Sequence, residues 1–431
     1  MKRFFLLTLA SAALLGASAA PVKTYEVKSP DGRLALVLTA GERLSFTVAR
    51  DGETLVAPSE MALTLSTGEV LGESPRVRSA RRRAVTETID APLYRQSRFD
   101  AAYNELDLRL RGDYGILARA YDDGVCYRFY TERDGELTIV DETAQLNFEG
   151  DPSAYIPYSK TEIPMRTSFE NTYEYAPLSK FRTQTVAFMP VLVDLGERGY
   201  VLYTESDVEA YPGVYLTYDK EAKGFAARFA ECPTETSLTK RFQDVVERSA
   251  DYIARVDGRR SYPWRIVAYA ATATELPVND MVWQTAEASR VADASWVRDG
   301  KIAWDWWNNW GVYGVDFKSG INTETYKYFI DFAAANGIEY VALDEGWGVR
   351  DGDVMHVVPE IDLPEIVSYA REKKVGIILW VVAKVLDDKL EEACRYYSEL
   401  GVAGWKVDFI DRQDQAAVER VYRCLLYTSP S

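Results

Sequence analysis

The sequence predicts a two-part fold, an antiparallel β-sandwich followed by about half of a parallel (β/α)8 barrel. Three observations carry this. From Tyr25 to about Thr272 apolar and polar residues alternate with period two between turn signals, the pattern of short antiparallel strands. After Trp296 the pattern changes to strand followed by helix, four times in succession, which argues for parallel strands with crossover helices. One of those strands, Val375 to Val382, is an uninterrupted apolar run, as expected of a strand covered on both faces.

At the N-terminus, Lys2 and Arg3 precede an apolar run from Phe4 to Leu15 and small residues ending in Ala17-Ser18-Ala19. This is the form of a cleaved secretory signal over residues 1–20, so a periplasmic or secreted protein is expected. The run is too short to span a bilayer, and no later stretch is long and apolar enough to do so. Residues 21–275 are assigned to the sandwich. Its strands, such as Leu34–Leu38 and Leu44–Val48, are separated by turn signals at Pro30-Asp31-Gly32, Ala40-Gly41, Asp51-Gly52 and Asp134-Gly135, and its last strand is Trp264 to Tyr269. A helical linker over 276–295, helical from about Pro277 to Val291, is expected next.

The barrel strands are expected at Ile302–Trp306, Ile338–Leu343, Val375–Val382 and Val402–Phe409. The first helix starts near Asn322 with Tyr326, Phe329, Ile330 and Ala333 on one face. The second has Asp362 as N-cap with Glu365 three residues on. The third carries Leu386, Leu390, Cys394, Tyr397 and Leu400 on one face and ends at Gly401. Asp411 and Asp414 are candidate caps for the fourth. Trp296 to Ser431 comprises 136 residues, about half of the ~250 of a complete barrel. A chain cut short is therefore expected, with 426–431 a non-native tail.

The formal net charge is −16, which repels a phosphate backbone and excludes nucleic acid as a partner. The four cysteines match no metal spacing and are expected as buried thiols, with one disulfide left open. His356 is the only histidine, so a Ser-His-Asp triad or a histidine metal site has little to draw on. It is expected as a surface or packing residue in the loop after the second strand. Side chains at the C-terminal ends of barrel strands face the active-site mouth, and those positions hold Trp304, Trp306, Asp344, Trp347, Trp380, Lys406 and Asp408. Carboxylates beside flat aromatic faces suit glycosidic chemistry. Period two turns Asp408 and Lys406 to the same side, where the ammonium would keep the aspartate ionised as a nucleophile requires. A structural ion pair at a strand end fits the same spacing.

The segments Trp304-Asp305-Trp306-Trp307-Asn308, Gly314-Val315-Asp316-Phe317, Leu343-Asp344-Glu345-Gly346-Trp347, Gly376-Ile377-Ile378-Leu379-Trp380 and Lys406-Val407-Asp408-Phe409 resemble glycoside hydrolase family 97, exported bacterial α-glucosidases and α-galactosidases. The resemblance covers nearly the whole mature chain. It implies a mutarotase-like β-super-sandwich, a catalytic (β/α)8 barrel, a C-terminal β-domain and an active-site calcium ion. Retaining members place an aspartate nucleophile in a Lys-Val-Asp-Phe stretch, and Asp408 matches it. Retention in this family goes with α-galactosidase-like activity on terminal α-glycosidic bonds of oligosaccharides. Lys406, Asp344, Trp304, Trp306, Trp347 and Trp380 are the expected substrate-binding residues, and Glu174, then Glu170, the expected calcium ligands. The general acid and most calcium ligands are expected beyond residue 431, so these residues alone are expected neither to turn over substrate nor to hold calcium tightly. An inverting α-glucosidase and a non-catalytic carbohydrate-binding protein are the alternatives.

Overall fold

The computed structural model describes residues 22–91, 93–291 and 293–427. The expected signal sequence and residues 428–431 lie outside them. The sandwich is built by antiparallel pairing around one long strand, Gly124–Asn147. Along its length this strand pairs with Glu53–Leu65, Tyr114–Tyr121, Gly224–Arg228, Ala254–Ser261 and Trp264–Ala270, so it ties the layers together. Alternation does the sorting: in Leu34–Ala40 and Leu44–Arg50, Leu34, Leu36, Leu38, Leu44, Phe46 and Val48 are buried while their neighbours are not. The turn signals at Gly32 and Gly52 do end strands. Asp134-Gly135 does not. Gly135 lies inside the long strand at φ 79°, opposite a register shift between Asp257 and Arg259, so the signal marks a bulge.

The linker is less helical than the periodicity suggests. Ala273–Val278 is a 3-10 turn and Met281–Thr285 a single short helix, and the described residues between Thr285 and Ile302 form no further helix or strand. Pro277 and the polar run after Thr285 leave too little apolar surface to continue the helix.

Four parallel strands follow in sequence order, Ile302–Trp304, Tyr340–Leu343, Gly376–Val382 and Gly404–Asp408. The first stops at Trp304, because Asp305–Asn308 turns into a 3-10 helix. Helices Thr323–Ala335 and Leu363–Glu372 start where expected. Asn322 accepts a hydrogen bond from the Thr325 amide and Asp362 one from that of Glu365. The third helix is in fact two, Ala383–Asp388 and Leu390–Leu400, broken at Lys389 with φ −133°. The last, Gln415–Tyr427, is capped by Asp414, whose Oδ1 accepts from the Ala417 amide. Asp411 takes no part in that cap. The barrel core joins Phe329, Ile330, Val341, Leu343, Ile366, Ile377, Leu379 and Tyr397. All four cysteines are free; Cys126 and Cys232 are buried, but Cys394 and Cys424 are half-buried.

Candidate active site

Parallel register places the even-numbered strand residues together: Trp304 beside Ala342, Ala342 beside Ile378, Trp380 beside Lys406, and Val382 beside Asp408. Odd-numbered residues such as Ile377, Leu379 and Val381 pack under the helices. The even set therefore opens at the strand ends into a cavity of about 640 Å³. Its walls include Trp304, Trp306, Asp344, Glu345, Trp380, Lys406, Asp408, Phe409 and Asp411 from the barrel, and Lys160, Ser168, Glu170, Arg241 and Gln243 from the sandwich.

Asp408 faces this space with its side chain 40% exposed. Its Oδ1 accepts from the Phe409 amide at 2.8 Å and its Oδ2 from Trp380 Nε1 at 2.9 Å. The Lys406 ammonium lies 3.8 Å from Asp408 Oδ2 but 2.6 Å from Asp344 Oδ2. Its primary partner is thus Asp344, not the aspartate two residues on. Asp344 reaches the lysine because it is the next inward position after Ala342, and it is only 3% exposed. Trp304 Nε1 donates to the same Oδ2 at 2.5 Å. The ammonium also covers the Trp304 ring at 4.3 Å, and Trp306 stacks on that indole at 5.1 Å. Trp304 is therefore consumed in holding the ion pair, while Trp306, 47% exposed, presents an open aromatic surface.

Trp347 departs from expectation. It is 3% exposed, packs edge-on against Tyr397, and donates Nε1 to the Trp380 carbonyl at 2.9 Å. It belongs to the core beneath the cleft, because the chain turns away from the strand direction at Gly346, where φ is 121°, and period two no longer applies. Glu170 lines the cleft, 3.9 Å from Lys160. Glu174 does not line it; it sits in the strand Glu174–Pro177 and pairs with Arg182 at 2.5 Å. Among the described residues no group of three or more His, Cys, Asp or Glu is placed to hold a metal ion. Calcium takes six to eight oxygens, so these residues do not by themselves fit one. His356 is exposed and pairs with Asp351 at 2.5 Å.

Five contributors lie outside the expected set. Asp305 is fully buried at the end of the first strand, where it accepts from Tyr326 Oη at 2.7 Å and from the Asp344 amide at 3.1 Å. Burial pushes its carboxyl up to about 6. It fixes the backbone that carries Asp344. Glu345 is held by Arg241 at 2.6 Å and by Arg350 at 2.7 Å. Asp411 accepts from Gln243 Nε2 at 2.9 Å. Arg241 and Gln243 come from the turn between Pro233–Leu238 and Asp244–Ser249, a two-stranded hairpin of the sandwich. Only tertiary folding brings these residues to the barrel rim, Arg241 to Glu345 across 104 positions and Gln243 to Asp411 across 168.

Residues 27–287 match the family model described as Glycosyl-hydrolase 97 N-terminal, and residues 306–428 that described as Glycoside hydrolase 97. The chain belongs to glycoside hydrolase family 97. A retaining alpha-galactosidase of Bacteroides thetaiotaomicron is 42% identical over 410 residues, covering 93% of this chain and 62% of that protein. A probable retaining alpha-galactosidase of Streptomyces bingchenggensis is 30% identical over 402 residues, covering 90% and 56%. The chain thus spans roughly three fifths of the length of these curated relatives. Among solved structures, a family 97 enzyme in complex with acarbose from Pseudoalteromonas sp. strain K8 superposes with a TM-score of 0.78 at 18% identity, covering 94% of this chain and 64% of that one. A beta-arabinopyranosidase gives 0.73 at 21%, covering 94% and 65%. These structural likenesses establish the family 97 sandwich and partial barrel as the fold.

Proposed function

We propose that this family 97 chain serves a retaining α-galactosidase, which hydrolyses terminal α-galactosidic bonds of oligosaccharides with Asp408 as nucleophile. The observation that carries the reading is the placement of Asp408: at the end of the fourth barrel strand, partly exposed to the cleft, with both oxygens oriented by fixed donors. The 42% identity to a retaining alpha-galactosidase supports it. An Asp408 oxygen attacks the anomeric carbon opposite the leaving group, so that the Oδ–C1 bond forms as the C1–O bond breaks. The leaving oxygen takes a proton from a carboxylic acid. Water then attacks C1 and gives its proton to the same acid's conjugate base, which restores Asp408 and releases sugar of unchanged configuration.

Asp344 and Glu345 are both committed to cations, so neither is assigned as the acid. That role is assigned to a glutamate on a later barrel strand, as the family resemblance implies. Lys406 and Trp304 anchor Asp344 in the cleft wall, and Trp306 offers its face to the C–H side of the ring. A calcium ion at the cleft would take Glu170 as one donor and draw its other oxygens from outside the described residues; no step above runs through it. Export follows in this proposal from the signal-like residues 1–20, and among the described residues no helix is long and apolar enough to cross a membrane.

The test is Asp408→Gly with α-galactosyl fluoride, whose leaving group departs without a proton donor. Added azide restores turnover and yields the β-galactosyl azide if Asp408 is the nucleophile. A folded variant that azide does not rescue overturns the assignment.

A further inference from the structure

The hairpin that brings Arg241 to the cleft is fastened to the barrel more firmly than packing alone requires. Behind its tip, Asp244, 7% exposed in its side chain, is shared by Arg412 and by Arg420 at 2.9 Å. At the tip, Gln243 holds Asp411. The Arg241 guanidinium lies 4.6 Å above the Phe409 ring. Phe409 is the residue directly after Asp408 and sits at φ 60°, with Asp411 at φ 24°. Left-handed backbone is strained for side chains of this size and persists only where surroundings impose it. The same Phe409 ring packs edge-on, 5.7 Å away, against Trp380, whose indole N–H donates to Asp408.

We infer that Arg241 is a positioning residue for the nucleophile. From the sandwich it presses Phe409 against Trp380 and so holds both donors to the Asp408 carboxylate, the Phe409 amide and the Trp380 indole, in place. The inference rests on the retaining reading of Asp408. Its second anchor is Glu345, 2.6 Å from the guanidinium. Charge over an aromatic face and a single anchoring ion pair are both available to lysine, whereas alanine removes them.

The experiment labels the chain with 5-fluoro-α-galactosyl fluoride. Asp408 displaces the anomeric fluoride, the Oδ–C1 bond forms as the C1–F bond breaks, and the adduct accumulates because the second fluorine slows its hydrolysis. Intact-mass kinetics give the maximal labelling rate and the half-saturating concentration separately, and peptide mapping gives the site. Misplacing a reacting group by an ångström costs about 100-fold. Arg241→Ala is therefore expected to lower the maximal rate at least about tenfold with half-saturation within threefold of wild type, and Arg241→Lys to recover most of that loss. An unchanged maximal rate in Arg241→Ala, or a loss confined to half-saturation, overturns the inference while leaving the nucleophile intact. No adduct on Asp408 of the wild-type chain overturns the nucleophile and this inference together. Should Arg241→Ala fail to fold, Phe409→Leu, which removes the ring, carries the same expectation and the same refutation.

Discussion

Lys406 is the cation on which the cleft turns, and its removal gives a stability prediction that needs no substrate. Lys406→Met keeps the stem and deletes the ammonium. Asp344, 4% exposed in its side chain, then retains only Trp304 Nε1 and the Glu345 amide as partners. Breaking a fully buried pair costs about 3–5 kcal/mol. Lys406 is 35% exposed, so water offsets part of that, and about 2–3 kcal/mol is expected, including about 0.5–1 kcal/mol for the lost contact with the Trp304 face. Asp344→Asn removes the charge that needs the lysine, so the double variant should be less damaged than the sum of the single ones. A hydrogen bond to a charged group contributes about 1.5–3 kcal/mol, which sets the expected coupling at about 1.5–2 kcal/mol in a double-mutant cycle. Urea unfolding at pH 7 of the four proteins measures it. Additive single-variant losses, with coupling below about 0.5 kcal/mol, would show that the pair is incidental.

Three further outcomes are expected. Asp305 holds its proton up to about pH 6 when folded against about 4 when unfolded, so its contribution is fully present below the unfolded value and declines as pH rises to about 6. The shift of about two units corresponds to roughly 3 kcal/mol. Asp305→Asn should gain about that much relative to wild type between pH 4 and pH 7 in urea unfolding; parallel pH dependences would refute the burial argument. Asp244→Ala removes the carboxylate shared by two largely buried arginines, which keep Asp414 and Asp387 as partners, and should cost about 1–3 kcal/mol, whereas Glu26→Ala, an exposed pair member, should cost under about 1 kcal/mol. Gly124→Ala would set a methyl 2.8 Å from the Ala268 Cα and the Val267 carbonyl, and against Met281 Sδ. Backbone cannot yield as a side chain does, so a loss of about 3 kcal/mol is expected in thermal or urea unfolding.

Much of this was legible in the sequence because it depends on short-range periodicity. Alternation alone sorts Leu34, Leu36 and Leu38 inward, and the same rule puts Trp380, Lys406 and Asp408 on the cleft. The reading fails where the strand direction ends. Trp347 lies beyond Gly346, so its inward turn into the helix core leaves no periodic signal. The break at Lys389 is invisible for a related reason: no proline or glycine marks it, and Leu386, Leu390 and Tyr397 keep one helical face on either side. The pairing of Lys406 with Asp344 rather than Asp408 depends on which strand lies alongside, and Asp344 is 62 residues away from its lysine. The hairpin residues Arg241, Gln243 and Asp244 carry nothing locally that distinguishes them from any solvated turn. Their parts, Arg241 and Gln243 in the cleft wall and Asp244 in the anchor behind it, exist only in three dimensions.

If Asp408 is the nucleophile, one of its oxygens bonds to the anomeric carbon during hydrolysis. The most direct measurement is the configuration of the first sugar released from α-galactosyl fluoride, followed by proton NMR faster than mutarotation. Two displacements at one carbon return the α-anomer, which is the predicted result. Immediate appearance of the β-anomer means a single displacement by water and contradicts the nucleophilic role of Asp408.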